Sequence, residues 1–267
     1  YLHTKMNKAV KGERYAKSAI DFALYDLTAK IYNVPVYQLL GGFNRPVQVT
    51  AVFSANDTEE LLEEVRSKKE EGYCEYKLKV GTKHSHDVER VKLVREIIGE
   101  DAALRLDGNE AWNAKEAIVK IRDFEPYRPA HIEQPVPAYD LKGLKKVRDE
   151  ISIPIVIDES ILTIHDAYRA VEQVGGDILN IKTTRSGGLF PSLKIAAVAE
   201  SAGVIPMLGS MLELGIGTVA NGHFAAALTG TTLATELVGP QFIEKDIIKQ
   251  KLVYEKGYLI LPDGPGW

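Results

Sequence analysis

The sequence predicts a (β/α)7β barrel of the TIM type, an α/β fold, preceded by a helical segment. From about residue 50, a short β-rich apolar run, a loop and an amphipathic helical stretch repeat with a period of about 25 residues. Polar residues also recur at the ends of nearly all the apolar runs. An open, doubly wound sheet is the alternative, but it does not require that recurrence. The length of 267 residues suits a single barrel.

Eight apolar runs account for the strands of this barrel. Helical patterns lie between them, for example Thr58–Glu71 and His86–Ile98, where apolar residues recur at steps of three and four. Asp57 suits the N-cap of the first of these helices, and Gly72 follows its end. The predicted strands are Val47–Phe53, Tyr73–Val80, Ala103–Leu106, His131–Glu133, Ile155–Ile157, Ile178–Ile181, Ile205–Leu208 and Thr235–Val238.

Residues 1–46 differ in kind from the barrel, residues 47–267. The first segment ends in Gly41 and Gly42, and Pro46 then introduces the first strand. We expect a helical piece that packs on the barrel and is not an independent domain. Its apolar helical stripe consists of Ala16, Ile20, Ala23, Leu24 and Leu27.

The composition is that of an ordinary globular protein, with 45% hydrophobic residues, 26% charged residues and a net charge of −4. This balance provides no basic field for nucleic acid and no polybasic patch for a membrane surface. No run approaches the roughly 20 apolar residues that span a bilayer, and Lys5, Lys8 and Lys11 interrupt any opening signal sequence. The single cysteine, Cys74, excludes an internal disulfide and fits a reducing compartment. We expect a cytoplasmic protein.

Charged residues end five of the predicted strands, and they are spaced like the repeat itself. Equal register on successive strands would place these side chains around one mouth, at the carboxyl rim where such barrels carry catalytic groups. A single acid at such a position is as often a solvated loop residue or a helix cap as a metal ligand. Three acids in register, however, would repel one another unless a cation joined them. All-oxygen ligation favours Mg²⁺ or Mn²⁺ over zinc. The residues are Lys79, Asp107, Glu133, Asp158 and Lys182, at intervals of 28, 26, 25 and 24 residues.

A second polar layer is predicted beneath this rim, because residues two apart on a strand share a face of the sheet. Barrel cores prefer branched apolar side chains in such layers. Polar ones instead fit a layer that holds metal ligands and lysines in place. His131 alone is typical of a hydrogen-bonded core histidine, and we assign it no catalytic role. The layer comprises Lys77, Arg105, His131 and Asn180.

Lys79 and Lys182 come from the second and sixth predicted strands and would address opposite faces of a substrate. Two lysines facing each other across a metal predict proton transfer next to a carboxylate, because the metal stabilises the enediolate that forms when the α-proton leaves. A dication and a second ammonium group would lower the pKa of such a lysine, so that it can act as a base near neutral pH. Lys77 is placed to supply that second charge.

Several of these residues stand in motifs that resemble those of the enolase superfamily. The Lys-x-Lys pair and the strand-six lysine point to its muconate-lactonizing subgroup, and the resemblance covers essentially the whole chain. The motifs are Tyr76-Lys77-Leu78-Lys79, Leu106-Asp107-Gly108-Asn109, His131-Ile132-Glu133-Gln134-Pro135, Ile157-Asp158-Glu159-Ser160, and Asn180-Ile181-Lys182 followed by Ser186-Gly187-Gly188.

The resemblance implies a role for each matching residue. The implied metal ligands are Asp107, Glu133 and Asp158, for Mg²⁺ or Mn²⁺. The implied acid/base pair is Lys79 and Lys182, assisted by Lys77. The implied supporting residues are Asn109 and Glu159. Glu213, at the end of strand seven, is a candidate substrate-side or supporting residue, with a helix N-terminal acid as the equal alternative.

The later motifs most resemble muconate and chloromuconate cycloisomerases. They are Gly209-Ser210-Met211-Leu212-Glu213, Gly217-Thr218, Thr235-Glu236-Leu237-Val238-Gly239-Pro240 and Pro262-Asp263-Gly264-Pro265-Gly266. The dipeptide epimerases of the subgroup carry an Asp-x-Asp pair at the end of strand eight to hold an ammonium group, whereas this chain has Thr235-Glu236-Leu237. The strand-six loop, Thr183-Thr184-Arg185-Ser186, departs in turn from the Ala-Lys-Asn of muconate enzymes.

The expected function is therefore a muconate cycloisomerase-like isomerisation of a small carboxylate substrate. Racemisation of N-acylamino acids, dipeptide epimerisation and dehydration to an o-succinylbenzoate-like product use the same lysines and metal and stay open. The resemblance also implies a homo-oligomer and an N-terminal capping domain that closes over the barrel mouth. Residues 1–46 match only the last helices of that domain, so we expect most of it to be lacking.

Two other classes of function remain as alternatives. In a Schiff-base aldolase, Lys182 would attack a carbonyl, but the three carboxylates beside it would have no role. In a non-catalytic barrel fragment, neither the lysines nor the acids would need to be intact.

Overall fold

The computed structural model describes residues 1–55, 57–231 and 233–267 and confirms the barrel class. A two-residue strand, β1 (Val47–Gln48), lies outside the barrel wall. The wall consists of β2 (Ala51–Phe53), β3 (Glu75–Lys79), β4 (Ala103–Asp107), β5 (His131–Glu133), β6 (Ile155–Ile157), β7 (Ile178–Ile181) and β8 (Ile205–Leu208). Within the described residues these seven strands pair in parallel and in chain order, forming a curled sheet.

The helices alternate with the strands as expected. Asp57 caps the helix after β2, because its side chain accepts a hydrogen bond from the Glu60 amide at 3.0 Å. The N-terminal segment contains α1 (Leu2–Ala9), α2 (Arg14–Tyr32) and α3 (Val36–Leu39). The barrel helices are α4 (Thr58–Glu70), α5 (His84–Ile98), α6 (Ala114–Arg122), α7 (Leu141–Glu150), α8 (Ile164–Val174), α9 (Thr183–Ser186), α10 (Leu189–Ser201) and α11 (Gly215–Ala227), with 3₁₀ turns at Glu125–Tyr127 and Gly239–Phe242.

The predicted eighth strand, Thr235–Val238, is wrong as a strand, although the chain there does close the barrel. Thr235 forms a single bridge with Val49, and the Glu236 amide donates to the Leu208 carbonyl at 3.2 Å. Val238 then turns back, its amide donating to the Glu236 carbonyl at 2.8 Å. The extended stretch therefore ends after two residues. We call this closing segment, residues 234–238, the seam.

The predicted first strand is split in the structure. Strand β1 pairs with a C-terminal hairpin of β9 (Val253–Glu255) and β10 (Tyr258–Ile260), which the sequence analysis did not anticipate. At Val49 and Thr50 the chain changes partner, because the Val49 amide donates to Gly257 and the Thr50 amide to Thr235, both at 2.8 Å. Only the second half of the predicted strand therefore belongs to the barrel.

The N-terminal helices pack on the barrel, but not through the predicted stripe. Ile20 is 50% and Leu27 55% exposed, whereas α2 buries a mixed face of Lys17, Ser18, Asp21, Phe22 and Ala29. The Asp21 carboxylate accepts a hydrogen bond from the Leu189 amide at 2.6 Å. The buried face of α2 therefore includes a polar bond to the first residue of α10.

Among the helices in the described part of the chain, none is long and apolar enough to cross a membrane. The division into two units at residues 46 and 47 stays a prediction.

Candidate active site

Strands β3, β4 and β5 bring three of the predicted rim residues into one row. Lys79 is paired with Asp107, and Asp107 with Glu133. One step below, Lys77, Arg105 and His131 form a second row. The side chains of this lower row are at most 2% exposed, so the predicted polar layer lies inside the barrel.

The equal register expected for the other two rim residues is wrong. Glu133 pairs with Val156, which in turn pairs with Ile178. Asp158 and Lys182 therefore lie two and four residues beyond that row. Barrel strands are tilted, so a row of hydrogen bonds climbs around the wall. The Asp158 side chain nevertheless lies within hydrogen-bonding distance of Glu133.

Lys77 is the centre of a buried ion cluster. Its Nζ lies 2.9 Å from Asp107 Oδ2, 2.7 Å from Glu133 Oε2 and 2.6 Å from Glu236 Oε1. Burial by itself lowers the pKa of Lys77, but the carboxylates, Asp107 first, outweigh it and raise the pKa well above its usual value. We call Asp107, Glu133, Asp158 and Glu236 the carboxylate cluster.

Lys79 stands at the open side of the cluster, with 36% of its side chain exposed. Its Nζ lies 2.6 Å from Asp107 Oδ2 and 2.6 Å from Asn109 Oδ1. The Asn109 amide group then donates to Glu159 Oε1 at 2.9 Å. Burial raises the pKa of Glu159, and the charge of Asp158 adds to that effect. Asn109 and Glu159 therefore form a bridge from Lys79 toward the loop after β6.

Lys182 stands at the closed side, with 10% of its side chain exposed and its Nζ 2.6 Å from Asp158 Oδ2. The Arg185 guanidinium reaches the same acid: it contacts Asp158 Oδ1 and donates to the Asp158 carbonyl at 2.8 Å. Burial alone would raise the pKa of Asp158, but Lys182 and Arg185 hold it below its usual value. Burial likewise would lower the pKa of Lys182, yet Asp158 and its neighbours raise it. This direction, set by the protein's own charges, is opposite to the lowered pKa expected beside a dication.

Glu133 is held between the two sides. Its Oε1 accepts a hydrogen bond from Asn180 Nδ2 at 3.0 Å, and burial, reinforced by the charge of Asp107, raises the pKa of Glu133 well above its usual value. His131 below it stays neutral, because burial and the nearby Arg105 lower its pKa well below the usual value. In the described structure His131 Nε2 has no hydrogen-bond partner, so the histidine is not the satisfied core residue that was expected.

The donor chemistry of the cluster fits a hard divalent cation. Asp107, Glu133 and Asp158 present buried carboxylate oxygens, and Asn180 Oδ1 beside them is buried without a partner among the described residues. In the part of the chain that the structure describes, however, no three His, Cys, Asp or Glu side chains are arranged as a metal site. Ammonium and guanidinium groups neutralise the carboxylates instead.

Glu213 lies apart from this cluster in its contacts. Its carboxylate accepts hydrogen bonds from Thr184 Oγ1 at 2.5 Å, from Ser210 Oγ at 2.6 Å and from the Met211 amide at 3.0 Å. These bonds tie the loop before α11 to α9, the short helix after β7. They are contacts of a supporting residue, and a substrate-side role of Glu213 stays a prediction.

The sequence analysis missed three residues that shape the site. Glu236 lies on the seam and is 5% exposed. Arg185 was noted only as a departure from a motif. Gln134 is fully buried, and its Oε1 accepts a hydrogen bond from the Asp158 amide at 3.0 Å. The available signals were a charged residue within an apolar run for Glu236 and the position next to Glu133 for Gln134.

Comparison with protein families identifies two matching regions. Residues 60–267 match the family described as enolase C-terminal domain-like. Residues 1–41 match the N-terminal domain of mandelate racemase and muconate lactonizing enzyme. Together they cover the helical segment and nearly all of the barrel.

Individual relatives carry several activities. The chain is 37% identical over 264 residues to the L-Ala-D/L-Glu epimerase of Clostridium acetobutylicum, covering 98% of this chain and 74% of the relative. It is 34% identical over 267 residues to muconate cycloisomerase 1 of Rhodococcus opacus, covering 98% and 71%. Among solved structures, the dipeptide epimerase of Enterococcus faecalis V583, complexed with Mg and the dipeptide L-Leu-L-Tyr, superimposes with a TM-score of 0.94 at 35% identity, covering 99% of this chain and 75% of that chain.

Proposed function

Because this chain belongs to the enolase superfamily, whose members matched here are epimerases and cycloisomerases, we propose that it moves a proton at the carbon next to a substrate carboxylate. Lys79 and Lys182 are the acid and base of this reaction. The enediolate formed when the α-proton leaves is its intermediate.

The disposition of the two lysines carries this proposal. Each amine is hydrogen-bonded to a carboxylate of its own, Lys79 to Asp107 and Lys182 to Asp158, both at 2.6 Å. We infer from these separate partners that the two lysines act from opposite sides of the carboxylate cluster. A base on each side can remove or deliver a proton at either face of a planar intermediate. Lys77 lies between them with three acids around it and supplies fixed positive charge.

Asp107, Glu133 and Asp158 would hold the divalent metal, Mg²⁺ or Mn²⁺. When bound, such an ion supplies positive charge beside the substrate carboxylate and so makes the α-proton more acidic. Around these ligands, Asn180 orients Glu133, Gln134 orients the Asp158 backbone, and Asn109 links the Lys79 side to Glu159. These partners fix where the carboxylate oxygens point.

The substrate we favour is a small carboxylate without a free α-ammonium group. Glu236 is the acid of the seam, but it faces inward and pairs with Lys77 at 2.6 Å. Its carboxylate is therefore occupied by Lys77 inside the barrel and does not bind an ammonium group of a substrate. This supports the cycloisomerisation of a muconate-like diacid as the leading reaction. Racemisation of an N-acylamino acid is the second candidate, because the chain is also 36% identical to the N-succinyl-L-Arg/Lys racemase of Bacillus cereus.

Proton exchange in deuterated water tests the proposal directly. The protein, supplied with Mg²⁺ or Mn²⁺, is incubated with muconate, N-acylamino acids, dipeptides and an o-succinylbenzoate precursor, and deuterium at the α-carbon is followed by NMR. Exchange with one class and no exchange in the Lys79→Ala, Lys182→Ala double variant is the expected result. Absence of exchange across the whole panel would refute proton transfer. Exchange with free dipeptides but not with the other classes would refute the substrate assignment alone.

A further inference from the structure

A cavity of about 370 Å³ lies between the N-terminal helices and the barrel, and no residue of the carboxylate cluster lines it. Its walls come from α1, α2, the start of α8 and the junction of α9 with α10. In the part of the chain that the structure describes, no acidic residue lines this cavity. The basic side chains that do are His3, Arg14, Lys17, His165 and Lys194.

Among the described residues, three of the cationic side chains around this cavity have no carboxylate partner. His3 is engaged by Asp21 at 2.5 Å. Arg14 Nε donates a hydrogen bond to the Arg185 carbonyl at 3.0 Å, and Lys17 Nζ donates one to Asn7 Oδ1 at 2.9 Å. Both acceptors are uncharged. Among the described residues, neither of these cations nor Lys194 is paired with a carboxylate. Three like charges around one small volume repel one another unless an anion joins them.

One further feature of the wall favours an anion. Ser186 lines the cavity and is 7% exposed, and its Oγ is buried without a partner in the described structure. An unpaired buried hydroxyl is costly, and an acceptor within reach would relieve that cost. The first turn of α8, an 11-residue helix, adds no net positive charge, because it carries Asp166, whose carboxylate accepts a hydrogen bond from Oγ1 of the cap Thr163 at 2.7 Å.

We propose that this cavity binds a small anion through a phosphate group. An arginine, two lysines and a hydroxyl together offer more donors than a single carboxylate can accept, whereas the oxygens of a phosphate can accept several. The cavity is larger than inorganic phosphate itself, so a phosphorylated metabolite also fits. This inference does not depend on the proposed reaction.

One residue of the cavity wall, Arg14, connects the cavity to the active site. Arg14 binds the Arg185 carbonyl, and the Arg185 guanidinium binds Asp158 beside Lys182. An anion that draws Arg14 toward itself therefore acts on the backbone that presents Arg185.

Isothermal titration with inorganic phosphate tests the site. The buffer is stripped of divalent metal by a chelating resin, so that no ion in the barrel mouth can hold phosphate, and the ionic strength is matched with sodium chloride. The proteins are the wild type, Arg14→Gln, Lys194→Gln and Ser186→Ala. The matched control is Lys92→Gln, which removes an exposed lysine of α5 that lies 3.9 Å from Glu96.

Saturable binding to the wild type is expected, weakened at least about tenfold in Arg14→Gln and Lys194→Gln, since each variant loses a charge-assisted hydrogen bond to the phosphate. Ser186→Ala, which changes no charge, should weaken it about threefold to tenfold, and Lys92→Gln should leave it unchanged. Absence of saturable binding to the wild type overturns the proposal. Equal weakening in Lys92→Gln shows diffuse attraction and overturns it too, as does unchanged affinity in both Arg14→Gln and Ser186→Ala.

Discussion

The Lys79 side and the Lys182 side of the barrel mouth differ in how firmly each lysine is enclosed. Lys79 is 36% exposed and shares its acid, Asp107, with Lys77. Lys182 is 10% exposed and shares Asp158 with Arg185. Each acid thus contacts two cations, but the second cation is a point charge on one side and a planar guanidinium on the other.

The proposed acid/base residues, Lys79 and Lys182, therefore differ in their access to water. On the Lys79 side, water reaches the amine, and Asn109 is its uncharged partner. On the Lys182 side, burial excludes water and strengthens each charge interaction. Changes on the closed side should therefore affect stability and chemistry together, and changes on the open side should affect chemistry alone.

The largest expected effect is on proton transfer. Lys182→Ala and Lys79→Ala should each lower turnover about 10²–10⁴-fold, the usual contribution of a general acid or base. With a racemised substrate, each variant should lose deuterium exchange chiefly from one enantiomer, because the lysines address opposite faces. The measurement is exchange from each enantiomer separately. Near-normal turnover in either variant would remove that lysine from the mechanism.

The next effect is on metal-linked stability. Mg²⁺ or Mn²⁺ at 100 times its Kd should stabilise the wild type by about 2.7 kcal/mol, seen as a raised Tm. Asp158→Asn should abolish this rise, and so should chelation of the metal. Asp177→Asn is the control, because Asp177 pairs with Arg148 away from the mouth, at 2.9 Å. A metal-induced rise that survives in Asp158→Asn would contradict its role as a ligand.

Arg185→Gln should then separate the two sides by stability. Removing the guanidinium leaves the buried Asp158 with Lys182 alone and should lower the free energy of unfolding by about 1–3 kcal/mol. Arg148→Gln breaks a pair whose side chains are 34% and 33% exposed and should cost less than about 1 kcal/mol. Urea unfolding measures both. Equal losses would mean that burial of the Asp158 pair adds nothing.

The smallest expected effect belongs to Asn109 on the open side. Asn109→Ala removes one of the two partners of Lys79 and the bridge to Glu159. It should lower kcat/KM about tenfold, as loss of an orienting partner does, with little change in the urea midpoint. Steady-state kinetics and unfolding on the same preparation provide the readouts. A stability loss as large as that of Arg185→Gln would contradict the contrast between the sides.

Much of the site could be predicted because strand periodicity is local. Lys79, Asp107 and Glu133 fall at strand ends, and alternation alone predicts the polar layer beneath them. Arg185 could not be placed by these rules, since its contact with Asp158 joins the short helix α9 to the residue that follows β6. Glu236 was missed as a partner of Lys77 because its segment closes the barrel without forming a strand.

The errors in the fold have a similar origin. The stripe predicted for α2 assumed that apolar residues are buried, whereas Asp21 is buried by its bond to the Leu189 amide, far along the chain. The C-terminal hairpin did have a local sequence signal that was not used, the pair Lys256-Gly257 between two short β-rich runs. Lys256 and Gly257 both have positive φ, at 49° and 77°, as the two-residue turn between paired strands requires.

The seam has a consequence for the dynamics of the site. It is joined to its neighbours by few backbone hydrogen bonds. Among them, the Thr235 amide donates to the Gln48 carbonyl at 2.8 Å and the Glu236 amide to the Leu208 carbonyl at 3.2 Å. All five of its residues are at most 6% exposed, so local opening must expose the core residue Leu237 and break the buried pair of Glu236 with Lys77. Each such opening would withdraw Glu236 from Lys77 while the seven paired strands stay intact. Hydrogen exchange of the Glu236 amide would thus report how often the buried ammonium of Lys77 loses one of its counter-charges, a fluctuation of charge balance at the centre of an otherwise rigid barrel.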